Sequence, residues 1–176
     1  MNIWHDINKE RIKKEDFLAV IEISKGSKKK YEMDKETGLI ILDRILYTST
    51  HYPANYGFIP LTYSEDNDPL DVLVLCSEDI EPMCLVRCYP VGVVRMIDSN
   101  EIDDKIIAIP FKDPSWNHVK NLDDIPQHLL AEIDHFFHVY KQLEHKETTN
   151  IQIEGKEKAL QIIETALKKY EEIFKK

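Results

Sequence analysis

The chain has 176 residues, 43% of them hydrophobic, and a net charge of −9. That length reads as one domain over residues 1–176, with a core that buries about 70% of the unfolded surface. The acidic total argues against a nucleic-acid backbone as partner, and no apolar run approaches membrane-spanning length.

From the start of the chain, Met1-Asn2-Ile3-Trp4-His5-Asp6 has no apolar h-region, so no signal peptide is expected. Phe17 to Ser24 reads as a strand with Glu22 as its single charge. Gly26 to Lys29 makes a basic turn. In Lys30-Tyr31-Glu32-Met33, alternation puts Lys30 and Glu32 on one face. Asp34 to Gly38 predicts a hairpin loop with glycine at a left-handed position, and Leu39 to Leu46 returns as a strand carrying Asp43 and Arg44. Thr50 to Phe58 sets Tyr52 and Tyr56 around Pro53 and before Gly57, the composition of a turn that aims phenols.

Asp66-Asn67-Asp68-Pro69-Leu70-Asp71 follows, with Glu65 before it and no lysine or arginine between Arg44 and Arg87. Carboxylates this crowded repel unless protons or a cation relieve them. Hard oxygen ligands at this density suit Mg²⁺, Mn²⁺ or Ca²⁺, although the composition also fits a solvated turn. Pro69 makes the run a rigid turn. Pro69, Leu70 and the missing glycine exclude an EF-hand calcium loop.

Further strands fit at 72–76, 85–88, 91–96 and 105–109, spacing that suggests a small barrel or a strongly bent sheet. Cys76, Cys84 and Cys88 form no CxxC pair, which points to reduced packing thiols and a cytoplasmic location. Asp98, Glu101, Asp103 and Asp104, followed by Lys105, read as a second acidic hairpin loop. Two helices close the chain. The first opens near Pro126 with the stripe Leu129, Leu130, Ile133, Phe136, Phe137, Tyr140 and Leu143; the second runs from about 156 to 174. Tyr140 sits on the stripe, whereas Lys141 lies off it and could reach a cleft. His135 and His138 stand three apart on the first helix without an evident third ligand, so packing or a subunit contact suits them better than a metal.

With these segments in this order, the chain resembles the family I soluble inorganic pyrophosphatases of bacterial type over nearly its whole length. The resemblance rests on Asp66 to Val72, on Tyr52-Pro53-Ala54-Asn55-Tyr56-Gly57, on Glu22, Lys30-Tyr31-Glu32 and Asp43-Arg44, on Asp98, Asp103 and Lys105, and on His135-Phe136-Phe137 with Tyr140-Lys141. It implies an α+β fold: a twisted five-stranded OB-like barrel with two C-terminal helices packed outside. It implies Mg²⁺-dependent hydrolysis of pyrophosphate to two phosphates by a metal-activated water with an aspartate base, with several ions per site and Mn²⁺ or Zn²⁺ as possible substitutes.

The resemblance also implies roles. Asp66, Asp71, Asp98 and Asp103 would bind metal directly, and Glu22 and Glu32 would act mainly through metal-bound waters. Asp68 would accept the proton of the attacking water, with Tyr56 beside it. Lys30, Arg44, Tyr140 and Lys141 would grip phosphates, Lys105 would add positive charge, and Tyr52 is a further candidate. A homohexamer is implied, with the helix of His135 at a subunit contact. The polar, lengthened segment 145–150 and Lys156 depart from the family pattern and leave residues 145–156 without an assigned role.

The chemistry of the residues agrees. Pyrophosphate hydrolysis needs charge neutralisation and positioning more than pocket shape. The five glycines form no phosphate-cradling loop, so side-chain cations and phenols must hold phosphate. An OB-type barrel that binds nucleic acid is opposed by the acidic centre. A metal-dependent phosphohydrolase acting on nucleotides is the other alternative.

Overall fold

The computed structural model describes residues 1–175. Phe17–Ile23 forms strand β1, Lys29–Met33 β2, Ile40–Ile45 β3, Asn55–Ile59 β4 and Leu70–Val74 β5. Leu85–Asp98 forms β6, Glu101–Pro110 β7 and Thr148–Gly155 β8; the helices are α1 (Gln127–Val139) and α2 (Lys156–Phe174). β1, β4, β5, β7 and β6 pair in that order, and β6 also pairs with β1, which closes a five-stranded ring. β8 adds to β6 outside the ring, and β2 and β3 form a separate hairpin. The fold is thus the expected α+β barrel with two late helices.

Closure depends on β6. Its first residues, Leu85 to Cys88, pair with β1, and Cys88 to Asp98 pair with β7. The two strands expected at 85–88 and 91–96 are therefore one bent strand. It turns through a register shift between Pro90 and Gly92, where bulges let a sheet curl.

The ring strands β1, β4 and β5 are nearly continuous buried runs because both sheet faces are covered. In β5, Val72 and Val74 join a core with Ala159, Ile163, Ala166 and Tyr170 of α2, and Leu73 joins a core with Ile133, Phe136 and Phe137 of α1. In β7, Ile106 and Ala108 face the α2 side, Ile107 and Ile109 the α1 side.

Several expectations are corrected. The segment 50–58 is only partly a turn: Asn55 to Ile59 is a fully buried strand. The acidic run 98–104 is not a loop. It lies on β6 and β7, joined by Ser99 and Asn100, both at positive φ (52° and 67°), a mirror-type tight turn matching strand twist. α1 stops at Val139, so Leu143 leaves the stripe and is exposed. Pro126 caps α1 instead of opening it. Cys84 is exposed and does not pack, whereas Cys76 and Cys88 are buried; all three are free.

Candidate active site

On strands, residues two apart share a face. The face of β5 and β7 that meets α1 continues beyond the apolar core as charged groups. Asp71 stands two residues before Leu73, and Asp103 and Lys105 stand before Ile107. β5 and β7 are parallel, with Asp71 beside Lys105. On β4, Tyr56 lies two residues from Phe58, which faces Asp71 across the antiparallel pair. Alternation sends Asp104 to the opposite face, where its carboxylate lies 3.0 Å from Arg95 Nε.

Glu22 reaches the same place by a different device. The β1–β4 register shifts between Ile21 and Ile23, so Glu22 sits on a bulge that re-aims its side chain. Its Oε1 accepts from the Met33 N–H at 2.8 Å. The Asp66–Asp71 turn is pinned from several sides. Asn67 takes a left-handed φ of 65°, which asparagine tolerates. Its amide oxygen accepts from the Tyr63 hydroxyl at 2.7 Å, and the Asp68 N–H donates to Asp66 Oδ1 at 3.2 Å.

These groups line one cleft of about 600 Å³. Glu22, Glu32, Asp66, Asp68, Asp71, Asp98 and Asp103 supply carboxylates; Lys30, Lys105 and Lys141 supply ammonium groups; Tyr52, Tyr56 and Tyr140 supply phenols. Every site residue expected from the sequence lines it except Arg44, whose guanidinium pairs with Asp43 and Glu144. Lys35 also lines it and contacts Asp68, which no sequence pattern signals. It stands in the β2–β3 hairpin loop, where one charge among several gives no periodic signal.

Lys105 is the centre. It is 2% exposed, and its Nζ donates to Tyr56 Oη at 2.7 Å, to Asp71 Oδ2 at 2.8 Å and to Asp103 Oδ1 at 3.1 Å. The Tyr56 hydroxyl in turn donates to Asp71 Oδ2 at 2.7 Å. Burial alone would favour neutral Lys105, but Asp103 and Asp71 outweigh it and hold the ammonium well above its ordinary pKa. Burial and the neighbouring Asp71 charge push the Tyr56 phenol well up, so it stays a neutral donor.

Comparison with known proteins places the chain in a family. The family model described as inorganic pyrophosphatase matches residues 19–171. Soluble inorganic pyrophosphatase 2 of Chlamydomonas reinhardtii is 47% identical over 97% of this chain and 89% of its own. An inorganic pyrophosphatase of Haloferax volcanii is 45% identical over 99% of both chains. The crystal structure of the Thermus thermophilus inorganic pyrophosphatase superposes with a TM-score of 0.92 at 34% identity, over 97% of this chain and 99% of that one.

The chain belongs to the inorganic pyrophosphatase family. Its reaction is hydrolysis of pyrophosphate to two phosphates, and the family implies dependence on a divalent metal. Among the described residues, no helix of the pyrophosphatase is long and apolar enough to cross a membrane.

The acids of the pyrophosphatase fit a divalent metal by their chemistry. Burial, then repulsion from Asp71, raises the Glu22 carboxyl to about 8. Burial, then Asp71, Asp103 and Asp68, raises Asp66 to about 7. Burial opposes ionisation of Asp98 too, but Lys141 outweighs it and holds that carboxyl below its usual range. Among the described residues no three acids converge into a closed ligand cage. Lysines instead stand among them, Lys105 between Asp71 and Asp103 and Lys141 on Asp98. An open, oxygen-only set suits Mg²⁺, which keeps several waters and takes one or two carboxylates.

The raised carboxyls fix a pH dependence. A carboxyl raised in the fold keeps a proton that the unfolded chain has lost, so stability falls as pH climbs from the unfolded value to the folded one. For Glu22 that window runs from 4.5 to about 8, and for Asp66 from 3.8 to about 7. With divalent metal chelated, the pyrophosphatase should therefore melt lower at about pH 8.5 than at about pH 5.5, and added Mg²⁺ should remove the loss. Differential scanning fluorimetry in EDTA reads this directly; a flat or rising profile contradicts the assignment.

Proposed function

We propose that the metal is Mg²⁺ and that it is held by Asp66, Asp71, Asp98 and Asp103, with Glu22 and Glu32 acting at longer range. When bound, Mg²⁺ supplies neutralisation of phosphate charge and acidification of the attacking water. Lys30, Lys141 and the Tyr140 hydroxyl hold phosphate oxygens from the cleft wall, and Arg44 joins them. Asp68 accepts the proton of the water whose oxygen bonds to phosphorus as the bridging P–O bond breaks. The Asp68 side chain is 49% exposed, unlike its deeper neighbours, so a water reaches it without displacing the core. Tyr56 donates beside that water, and the Lys105 ammonium, donating to Asp71 and Asp103, holds both carboxylates in place.

The observation that carries this reading is the single cleft in which carboxylates, ammonium groups and phenols from β1, β2, β4, β5, β6, β7 and the end of α1 converge. The cleft lining is dominated by ionisable side chains, which favours small, highly charged pyrophosphate over nucleotides. Phosphate release from pyrophosphate, ATP and tripolyphosphate with Mg²⁺ separates the cases. Pyrophosphate should be strongly preferred, and activity should vanish with a chelator and return with Mg²⁺. Comparable turnover of ATP would overturn the preference.

The working form we propose is a cytoplasmic homohexamer. His135 is exposed on α1, Val139 is half-buried off the core stripe, and Leu143 follows at 62% exposure. These apolar groups beside His135 suit a packed subunit contact. Val139→Glu should yield smaller oligomers at pH 7.5 by light scattering; a parent chain that is monomeric there refutes the contact.

A further inference from the structure

Arg44 and Glu144 form a contact that the reaction as described does not use. Arg44 Nε lies 2.7 Å from Glu144 Oε1, and Nη1 lies 2.5 Å from Asp43 Oδ2. The Glu144 side chain is 7% exposed although it belongs to a short surface turn, Gln142–Glu144. The pairing is poorly made. Arg44 Nε has no aligned hydrogen bond despite its closeness, and Arg44 Nη2 and Glu144 Oε2 are both buried with no partner among the described residues.

A buried donor and acceptor left unpaired destabilise the arrangement that holds them. A phosphate presents two oxygens that accept two parallel N–H bonds from one edge of the guanidinium fork. The competing sites are adjacent. Asp43 Oδ2 is shared between Arg44 Nη1 and Lys30 Nζ, the latter at 3.2 Å, and Lys30 lines the cleft. Lys141, three residues before Glu144, lines it too. Arg44 thus stands directly behind cleft cations, turned toward a carboxylate.

We propose that Glu144 is a positioning residue that competes with phosphate for Arg44. It holds the guanidinium in the free enzyme and yields it when substrate or product phosphate binds. The consequence is weaker binding of both than an unpaired Arg44 would give, which favours product release. This rests on the reading of Arg44 as a phosphate-gripping residue.

Glu144→Gln keeps the shape and removes the charge. KM for pyrophosphate and the inhibition constant for phosphate should both fall about three- to tenfold, between the worth of an exposed ion pair and that of a charge-assisted hydrogen bond. kcat should stay level or drop as product release slows. A purely structural role would lower the melting temperature and would not tighten phosphate. In the Arg44→Gln background, Glu144→Gln should change neither constant. Glu144→Asp, which only retracts the carboxylate, should move both constants the same way by less. Unchanged or raised constants in folded Glu144→Gln or Glu144→Asp overturn the proposal. If Arg44→Gln alone leaves KM and phosphate inhibition unchanged, the role of Arg44 itself fails. Side-chain NMR of the parent gives an independent reading. The Arg44 Nε–H resonance, identified by its loss in Arg44→Lys, should shift as inorganic phosphate is added with Mg²⁺; a stationary resonance also overturns the exchange.

Discussion

Asp71→Asn should lower the rate of pyrophosphate hydrolysis by several decades and leave the fold intact. Asp71 is where the charges meet: its Oδ2 accepts from both Tyr56 and Lys105, at 2.7 and 2.8 Å. Its charge also contributes to the raised carboxyls of Glu22 and Asp66. Asparagine preserves volume and one acceptor, so packing survives. It removes a negative charge from the densest part of the donor set proposed to hold the metal, and it weakens the anchor of a buried ammonium. Three decades correspond to about 4 kcal/mol of lost transition-state stabilisation. Relief of repulsion should leave the chelated protein no less stable than its parent. Phosphate-release kinetics beside circular-dichroism melts decide it. Near-normal turnover would remove Asp71 from the metal set.

Gly57→Ala should abolish soluble folding or lower the melting temperature by well over about 10 °C. A Cβ at Gly57 would stand 1.8 Å from the Val20 carbonyl oxygen and 2.8 Å from its carbon. Both are backbone atoms of β1, so no side-chain rotation relieves the clash. β1 and β4 would have to separate at Ile21–Gly57, beside the bulge that aims Glu22. Losing that register opens the ring and displaces a site carboxylate together. The cost reaches the upper tail for single substitutions, about 4–5 kcal/mol, against a typical total of about 5–15 kcal/mol. A soluble Gly57→Ala chain that melts with its parent would show that the strands can part at little cost.

Segments with strong local chemistry were legible. α2 spans the residues its apolar period marks, because nineteen residues of helical period face a single core. β1, β2 and β3 matched within a residue or two. β4 was not seen, because Tyr52, Pro53 and Gly57 carry turn chemistry; Gly57 is there for close strand approach, not for a turn. β8 was missed because it is polar and edge-like, with Thr149, Asn150 and Gln152 exposed. Lys35 was missed because its place depends on how the hairpin folds over the Asp66–Asp71 turn.

The sequence by itself determined the chemistry: which carboxylates crowd, which cations and phenols accompany them, and which runs are apolar. Those follow from covalent spacing and side-chain type, which act over a few residues. Only the tertiary structure decided which acids share the cleft. Asp103 and Asp104 are neighbours in sequence, but strand alternation sends one to Lys105 and the other to Arg95. It also decided that Arg44, a phosphate ligand by family resemblance, meets Glu144 about a hundred residues later. That contact depends on ring closure through β6 and on the turn after α1. Long-range geometry of this kind depends on how whole elements pack, and no local pattern encodes it.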